Sequence, residues 1–230
     1  MVPDEYDVLN SVLDDDVAQF VRAMTPETDS VFDEMVTHNV NDDFPIVGPE
    51  VGGTLRIVAR MTGANRAFEF GSGKGYSAYW IAPALPSDGE IVLTDFDGAN
   101  LDEARSFFER GGYADLARFE VGDALETYRQ YDGQFDFVLI DNLEQEYLET
   151  FELVEDDVPS GGVICADNVM AGPAVQEDRA LAALRGDPDW DAMDETTAGV
   201  VRYLQHVRDE PNFETSLLPV GEGLVVSVKK

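Results

Sequence analysis

The chain has 230 residues, is 44% hydrophobic and carries a formal net charge of −32. That length suits one α/β domain or a domain with an appendage, and that apolar fraction fills a sizeable core. The charge repels phosphate backbones and argues against a nucleic-acid partner, and no apolar run approaches the ~20 residues that span a bilayer, which argues against a membrane protein.

The start Met1-Val2-Pro3-Asp4-Glu5 is acidic and lacks the basic region of a secretory signal, so a cytoplasmic location is expected. The single cysteine, Cys165, excludes an intrachain disulfide and a cysteine-based zinc cage; it reads as a buried strand residue. Lysine occurs only at 74, 229 and 230, while acids are spread along the whole chain. In molar salt the screening length falls to ~3 Å and like-charge repulsion largely vanishes. The composition therefore reads as adaptation to a salt-saturated, halophilic cytoplasm.

Residues 1–45 are expected to form helices that pack on the core. Val8-Leu9, Val12-Leu13, Val17 and Phe20-Val21 recur at spacings of three to five, which buries one face. Thr25-Pro26-Glu27 reads as a helix start with proline in the first turn. The stretch 44–50 breaks the pattern as a loop, and a further helix runs from about 51 to 61. From 46 to 230 helices and short apolar runs alternate. Strands are expected at 67–70, 91–94, 119–121, 135–140 and 162–166, and helices at 77–84, 101–110, 124–131 and 147–155. In the first crossover helix Tyr76, Tyr79 and Trp80 are expected to be packing residues. This rhythm implies a doubly wound parallel sheet with helices on both faces. Residues 174–209 read as one or two helices interrupted near Gly186-Asp187-Pro188. The runs 213–218 and 224–228 look like two strands joined by a tight turn.

The first strand leads into Glu69-Phe70-Gly71-Ser72-Gly73-Lys74-Gly75. In open α/β sheets ligands sit beyond the carboxyl ends of the strands, and glycines there let the backbone approach closely. The G-x-G-x-G spacing differs from the G-x-G-x-x-G of dinucleotide folds. It is also no phosphate loop, because Gly75 follows Lys74 where Ser or Thr is required. A plain strand-to-helix turn is the alternative. The second strand ends in Asp95, which can accept both ribose hydroxyls or cap the helix near Leu101. Asp123 either faces an adenine amino group or caps the helix that begins at Ala124. Glu69 can take a cofactor amino group through the loop. A negative rim of this kind suits a sulfonium cofactor with an ammonium group better than a pyrophosphate.

Two later strands end in Asp141 and in Asp167-Asn168. Both aspartates emerge on one edge of the sheet, and Asn168 adds a neutral carbonyl oxygen. Two carboxylates and an amide, with no histidine or thiolate nearby, suit a hard cation such as Mg²⁺. Helix or loop capping is the alternative for both aspartates.

Five segments carry a family resemblance: Val47-Gly48-Pro49-Glu50, the run from Phe68 to Ser77, Gly122-Asp123-Ala124, the run from Phe135 to Asp141, and the run from Gly161 to Val169. With the ending Leu217-Leu218-Pro219-Val220-Gly221-Glu222-Gly223-Leu224, they resemble the class I S-adenosylmethionine-dependent O-methyltransferases. The closer match is the cation-dependent branch that includes catechol and caffeoyl-CoA O-methyltransferases. It runs from about residue 44 to the C-terminus. The resemblance implies a Rossmann-like, seven-stranded, mostly parallel sheet with an antiparallel last strand. It implies contacts from Val47, Glu69, Ser77, Asp95, Asp123 and Ala124 to S-adenosylmethionine, and a metal held by Asp141, Asp167 and Asn168. The turn residues Gly71, Ser72, Gly73 and Gly75, with Asp141, complete the expected cofactor set. The acceptor would be a small hydroxylated molecule such as a catechol-like diol, and homodimers are common in the family.

The chain departs from the family at one catalytic position. Lysine commonly follows the first metal aspartate by three residues; here Glu144 stands there. Activation by the metal alone ranks first, ahead of Glu144 as a weaker base raised by burial. A solvated glutamate with a low catalytic rate is the third reading. Lys74 either holds the cofactor carboxylate or points outward. Met170 and Trp190 line a substrate pocket or pack the core, and His38 and His206 read as structural or exposed. A cofactor-binding protein without turnover is the competing function. A nicotinamide-dependent oxidoreductase is a weaker competitor, because the glycine spacing differs and no Tyr-x-x-x-Lys pair is evident.

Overall fold

A computed structural model describes residues 12–170 and 175–230. In chain order the elements are α1 (Asp15–Arg22), α2 (Ser30–Asn41), α3 (Pro49–Met61), β1 (Arg66–Phe70), α4 (Tyr76–Ile81), β2 (Glu90–Asp95), α5 (Gly98–Gly111) and β3 (Ala117–Val121). They continue with α6 (Ala124–Tyr128), β4 (Phe137–Ile140), α7 (Tyr147–Val154), β5 (Val163–Ala166), α8 (Glu177–Leu184), α9 (Glu195–Asp209), β6 (Phe213–Leu218) and β7 (Leu224–Lys229). The strands form one sheet in the order β3-β2-β1-β4-β5-β7-β6. β3, β2, β1, β4 and β5 pair in parallel, whereas β7 runs antiparallel to both β5 and β6.

The period-2 alternation of the strands sorts their side chains into two cores. Ala67, Ile91, Leu93, Phe137, Leu139, Val163 and Cys165 face α2 to α5. Phe68, Phe70, Val92, Val138, Ile140, Ile164 and Ala166 face α6 to α9. Central strands apolar on both faces are what a doubly wound parallel sheet requires. The strand order reverses between β1 and β4, so the carboxyl ends of these two strands frame the switch-point crevice.

Several boundaries differ from the sequence expectation. The Thr25-Pro26-Glu27 start is displaced: α2 begins at Ser30, where the Asp29 carboxylate accepts from the amides of Val31 and Phe32, both at 3.0 Å. That bond satisfies donors that Thr25 does not reach. Phe135 is buried but precedes β4, and α6 stops at Tyr128 rather than 131. The helix expected at 77–84 ends in one 3₁₀ turn, Ala82–Ala84, which contains Pro83. Residues 174–209 resolve into two helices, α8 and α9. Val8-Leu9 lies outside the described residues, and of the other positions expected on a buried face Val17 and Phe20 are exposed: α1 buries Ala18 and Arg22 instead, because the Arg22 side chain turns in to pair with Glu50. Among the described residues, no helix is long and apolar enough to cross a membrane.

Candidate active site

A cleft of about 730 Å³ opens at the carboxyl ends of β1 and β4. Its floor is the glycine turn. Gly71 has φ 82°, and a Cβ there would lie 2.4 Å from the Asp141 carbonyl oxygen. The Asp141 amide in turn donates to the Phe70 carbonyl at 2.9 Å. Glycine is thus what lets the turn close against the end of β4. Gly73, at φ 48°, lies under the Phe44 ring, 2.8 Å from where its Cβ would stand.

β2 fixes the other side of the turn. The Ser72 amide donates to the Thr94 carbonyl at 2.7 Å, and the Gly73 amide donates to Asp95 Oδ2 at 3.0 Å. Asp95 Oδ1 accepts from the Asp97 amide at 2.8 Å and from Asn100 Nδ2 at 3.2 Å. The carboxylate is therefore held rigid at the cleft wall, with lone pairs left for a diol. Glu69 lies beneath the turn, fully buried, and accepts from the Ser77 hydroxyl on α4. Its Oε2 has no partner. Burial pushes its carboxyl up to about 7; the nearby Ser77 and Ser72 hydroxyls oppose that shift, and Asp95 adds to it.

The acid pair follows from strand register. Ile140 pairs with Ala166, so Asp141 and Asp167 leave neighbouring strands side by side. The Asp167 amide donates to the Ile140 carbonyl at 3.2 Å, and the Tyr147 hydroxyl donates to the Asp167 carbonyl at 3.0 Å. Asp167 is 2% exposed and its Oδ1 has no partner. Asn168 takes a left-handed φ of 58°, a conformation that asparagine tolerates better than most residues. Burial raises both carboxyls. The Asp141 carboxyl is raised further by Asp167, Glu69, Glu144 and Glu222. The Asp167 carboxyl rises to about 7; the Asn168 backbone opposes the shift, and Glu222 and Glu50 add to it. Crowded, desolvated carboxylates with an orphaned oxygen fit a hard divalent cation.

Val47, Gly71, Ser72, Gly73, Ser77 and Asp95 come together on the cleft, as do Asp141, Asp167 and Asn168. Gly75 does not border it; its backbone packs against Ala104 of α5. The Asp123 carboxylate accepts from the Glu126 amide at 3.0 Å and caps α6, whose buried first residue is Ala124; neither borders the cleft. Glu144 opens a one-turn 3₁₀ segment, half-buried and off the lining, with its charge felt at Asp141. Trp190 is exposed, 5.3 Å from the Arg202 guanidinium, and does not border the cleft. Met170 packs where a Gly223 Cβ would stand. Phe44, Ile46 and Glu222 border the cleft without having been singled out as site residues. The proline and glycines around 45–48 and 219–223 were the signal that two loops meet there.

A nucleoside-sized cleft at the switch point of a doubly wound sheet, beside a crowded acid pair, defines a cofactor-dependent α/β enzyme. The O-methyltransferase family profile matches residues 24–230, and the chain belongs to that family as an S-adenosylmethionine-dependent O-methyltransferase. Caffeoyl-CoA O-methyltransferase 2 of Petunia hybrida is 28% identical over 192 residues, 76% of this chain and 72% of that enzyme. A catechol O-methyltransferase of Niastella koreensis is 29% identical over 152 residues, 64% of this chain and 69% of that enzyme. Among solved structures, an O-methyltransferase from Bacillus cereus in complex with SAH superposes with a TM-score of 0.78. It is 26% identical, covering 94% of this chain and 97% of that one.

Proposed function

We propose that the enzyme methylates one hydroxyl of a small dihydroxylated aromatic acceptor, with a divalent cation, Mg²⁺ by its ligand set, held by Asp141, Asp167 and Asn168. One observation carries this reading: the acid pair and the glycine turn share a single cleft, fused where Gly71 meets the Asp141 carbonyl. Bound there, a hard cation lowers the pKa of an acceptor hydroxyl and fixes its orientation.

The chain's own residues do the remaining work. Methyl transfer forms an O–CH₃ bond as the donor's S–CH₃ bond breaks, and it requires the two partners in line at near-contact distance. Gly71 and Gly73 bring the backbone close to the donor. Asp95 presents a fixed carboxylate to its ribose. Phe44, Ile46 and Val47 roof the cleft and exclude water. Glu144 supplies no cation where the family has lysine; its charge adds to the negative field at Asp141. With no lysine at that position, a metal held by Asp141, Asp167 and Asn168 would supply the acceptor activation by itself.

Charge also selects the acceptor. Lys74 is the one Lys or Arg bordering the cleft among the described residues, and its ammonium is engaged by Asp42 and Glu103. Segments 1–11 and 171–174 contain no Lys, Arg or His. Coenzyme A phosphates would meet carboxylates where they need cations, so a free catechol fits better than a CoA thioester.

Labelled methyl transfer in high salt tests both statements. Turnover of catechol should vanish with chelator and return with Mg²⁺. Asp141→Asn should lower it at least about 10²-fold, the scale of several kcal/mol of lost charge stabilisation. S-Adenosylmethionine affinity by calorimetry should change far less. Chelator-insensitive turnover that survives in Asp141→Asn would refute the metal site. A caffeoyl-CoA kcat/KM above that of catechol would refute the acceptor reading.

A further inference from the structure

Lysine is scarce here, yet one of the three is buried inside the glycine turn. Lys74 is 6% exposed. A desolvated ammonium costs several kcal/mol unless close carboxylates repay it. Two helices supply them. Lys74 Nζ lies 2.5 Å from Asp42 Oδ2 at the end of α2 and 3.1 Å from Glu103 Oε2 on α5. His38 Nε2, also on α2, is 3.5 Å from Nζ and 2.7 Å from Glu103 Oε2. The Phe44 ring centre is 5.1 Å away, within cation–π range. An ammonium has three donors. Two carboxylates take two of them; His38 Nε2, which must carry its proton toward Glu103, cannot accept the third. His38, Asp42 and Glu103 lie close enough together to hold a metal ion, but the ammonium already stands among them.

The position of Asp42 gives this cluster a consequence. It immediately precedes the segment 43–48, every residue of which borders the cofactor cleft. Asp43 takes a left-handed φ of 53°, a conformation that aspartate tolerates better than most residues and that turns the chain out of α2. Phe44 then packs its ring against the turn at Gly73, its amide donating to the Asn39 carbonyl at 2.9 Å. The roof thus has two attachments to the floor, Phe44 on Gly73 and Asp42 on Lys74.

We propose that Lys74 is a positioning residue: its ion pairs with Asp42 and Glu103 latch the 43–48 roof onto the glycine turn and pre-organise the S-adenosylmethionine cleft. This rests on the cofactor cleft and is independent of the metal reading. A latched roof spares the ligand the entropy of ordering it, and that saving appears as affinity. The ammonium is buried, but the Asp42 and Glu103 side chains are 46% and 38% exposed, so molar salt weakens the latch in part without abolishing it.

Lys74→Met tests the latch. Amide hydrogen exchange across residues 43–48 of the ligand-free protein should accelerate about tenfold or more, with the amides of α5 unchanged. Kd and KM for S-adenosylmethionine should rise about tenfold, more than kcat falls. Lys74→Arg should recover most of that loss. In a double-mutant cycle, Lys74→Met and Asp42→Asn should be non-additive in cofactor Kd. If Lys74→Met only lowers the melting temperature, leaving loop exchange and cofactor Kd at wild-type values, Lys74 is a staple of the fold and the proposal fails. Should that variant not fold, Asp42→Asn carries the same readouts, because Asp42 is half-exposed. Unchanged cofactor Kd and loop exchange in Asp42→Asn would equally overturn the latch.

Discussion

At the scale of single residues, the buried carboxyls set a pH dependence that a bound divalent cation would reverse. Burial lifts Asp167 from an ordinary 3.8 to about 7, and the unfolded chain keeps the ordinary value. The native state therefore binds the proton more tightly than the unfolded state does. The resulting stability is complete below about pH 4 and drains away as pH rises through about 7. Glu69, lifted from 4.5 to about 7, contributes in the same direction. A divalent cation needs the ionised form, so its stabilising effect should grow over the same interval. The rise in melting temperature on adding Mg²⁺ is expected to be small at pH 5.5 and larger at pH 8. Asp167→Asn should flatten both the metal-free decline and the Mg²⁺ gain. A Mg²⁺ shift largest at pH 5.5 would contradict this account. The two aspartates were legible in sequence because each ends an apolar run, and strand ends meet at one sheet edge. The partners of Lys74 were not: Asp42 is 32 positions away, and only the packing of α2 and α5 over the turn brings the carboxylates in.

At the scale of elements, the crossover helix α4 is the hub on which the cofactor turn rests. All six of its residues are buried. Phe32 of α2 meets Tyr76, Tyr79 and Trp80 at ring separations of 5.5, 4.8 and 4.5 Å. α3 approaches Trp80 closely at Gly52, where a Cβ would stand 2.2 Å from the indole Cδ1. Because the indole is fully buried, it has no room to retreat. Gly52→Ala should therefore cost about 1–3 kcal/mol by overpacking, despite alanine's better helix propensity. For a chain of this length that corresponds to a melting point lower by very roughly 2–12 °C. An unchanged or higher melting point, followed by calorimetry, would show that α3 can shift off α4 at no cost. Elements of this kind were mostly readable, since apolar alternation and helical spacing survive any charge on the exposed positions. The boundaries that moved did so for local reasons: Asp29 caps α2 later than Pro26 suggested, and Phe135 is buried from a turn rather than a strand.

At the scale of the whole molecule, two kinds of electrostatics coexist, and salt separates them. The first is diffuse: a net charge of −32 spread over the surface. Its self-repulsion acts over about 8–10 Å in ordinary buffer and over ~3 Å in molar salt. Exposed pairs such as Arg129 with Glu126 offset little of it. The second kind is local and buried. Arg22 reaches Glu50 with two hydrogen bonds of 3.1 and 3.2 Å, both side chains out of solvent. Rising salt therefore removes the repulsion and leaves this anchor nearly intact. The melting temperature is expected to climb steeply between about 0.1 and 2 M KCl, with partial unfolding on dilution into low salt. MgCl₂ added at matched ionic strength should contribute a further increment that Asp141→Asn removes. Screening and specific cation binding are thereby read in one experiment. A melting temperature independent of KCl would mean that the negative surface is neutral in its energetics, and the salt-adapted reading would fall without touching the active site.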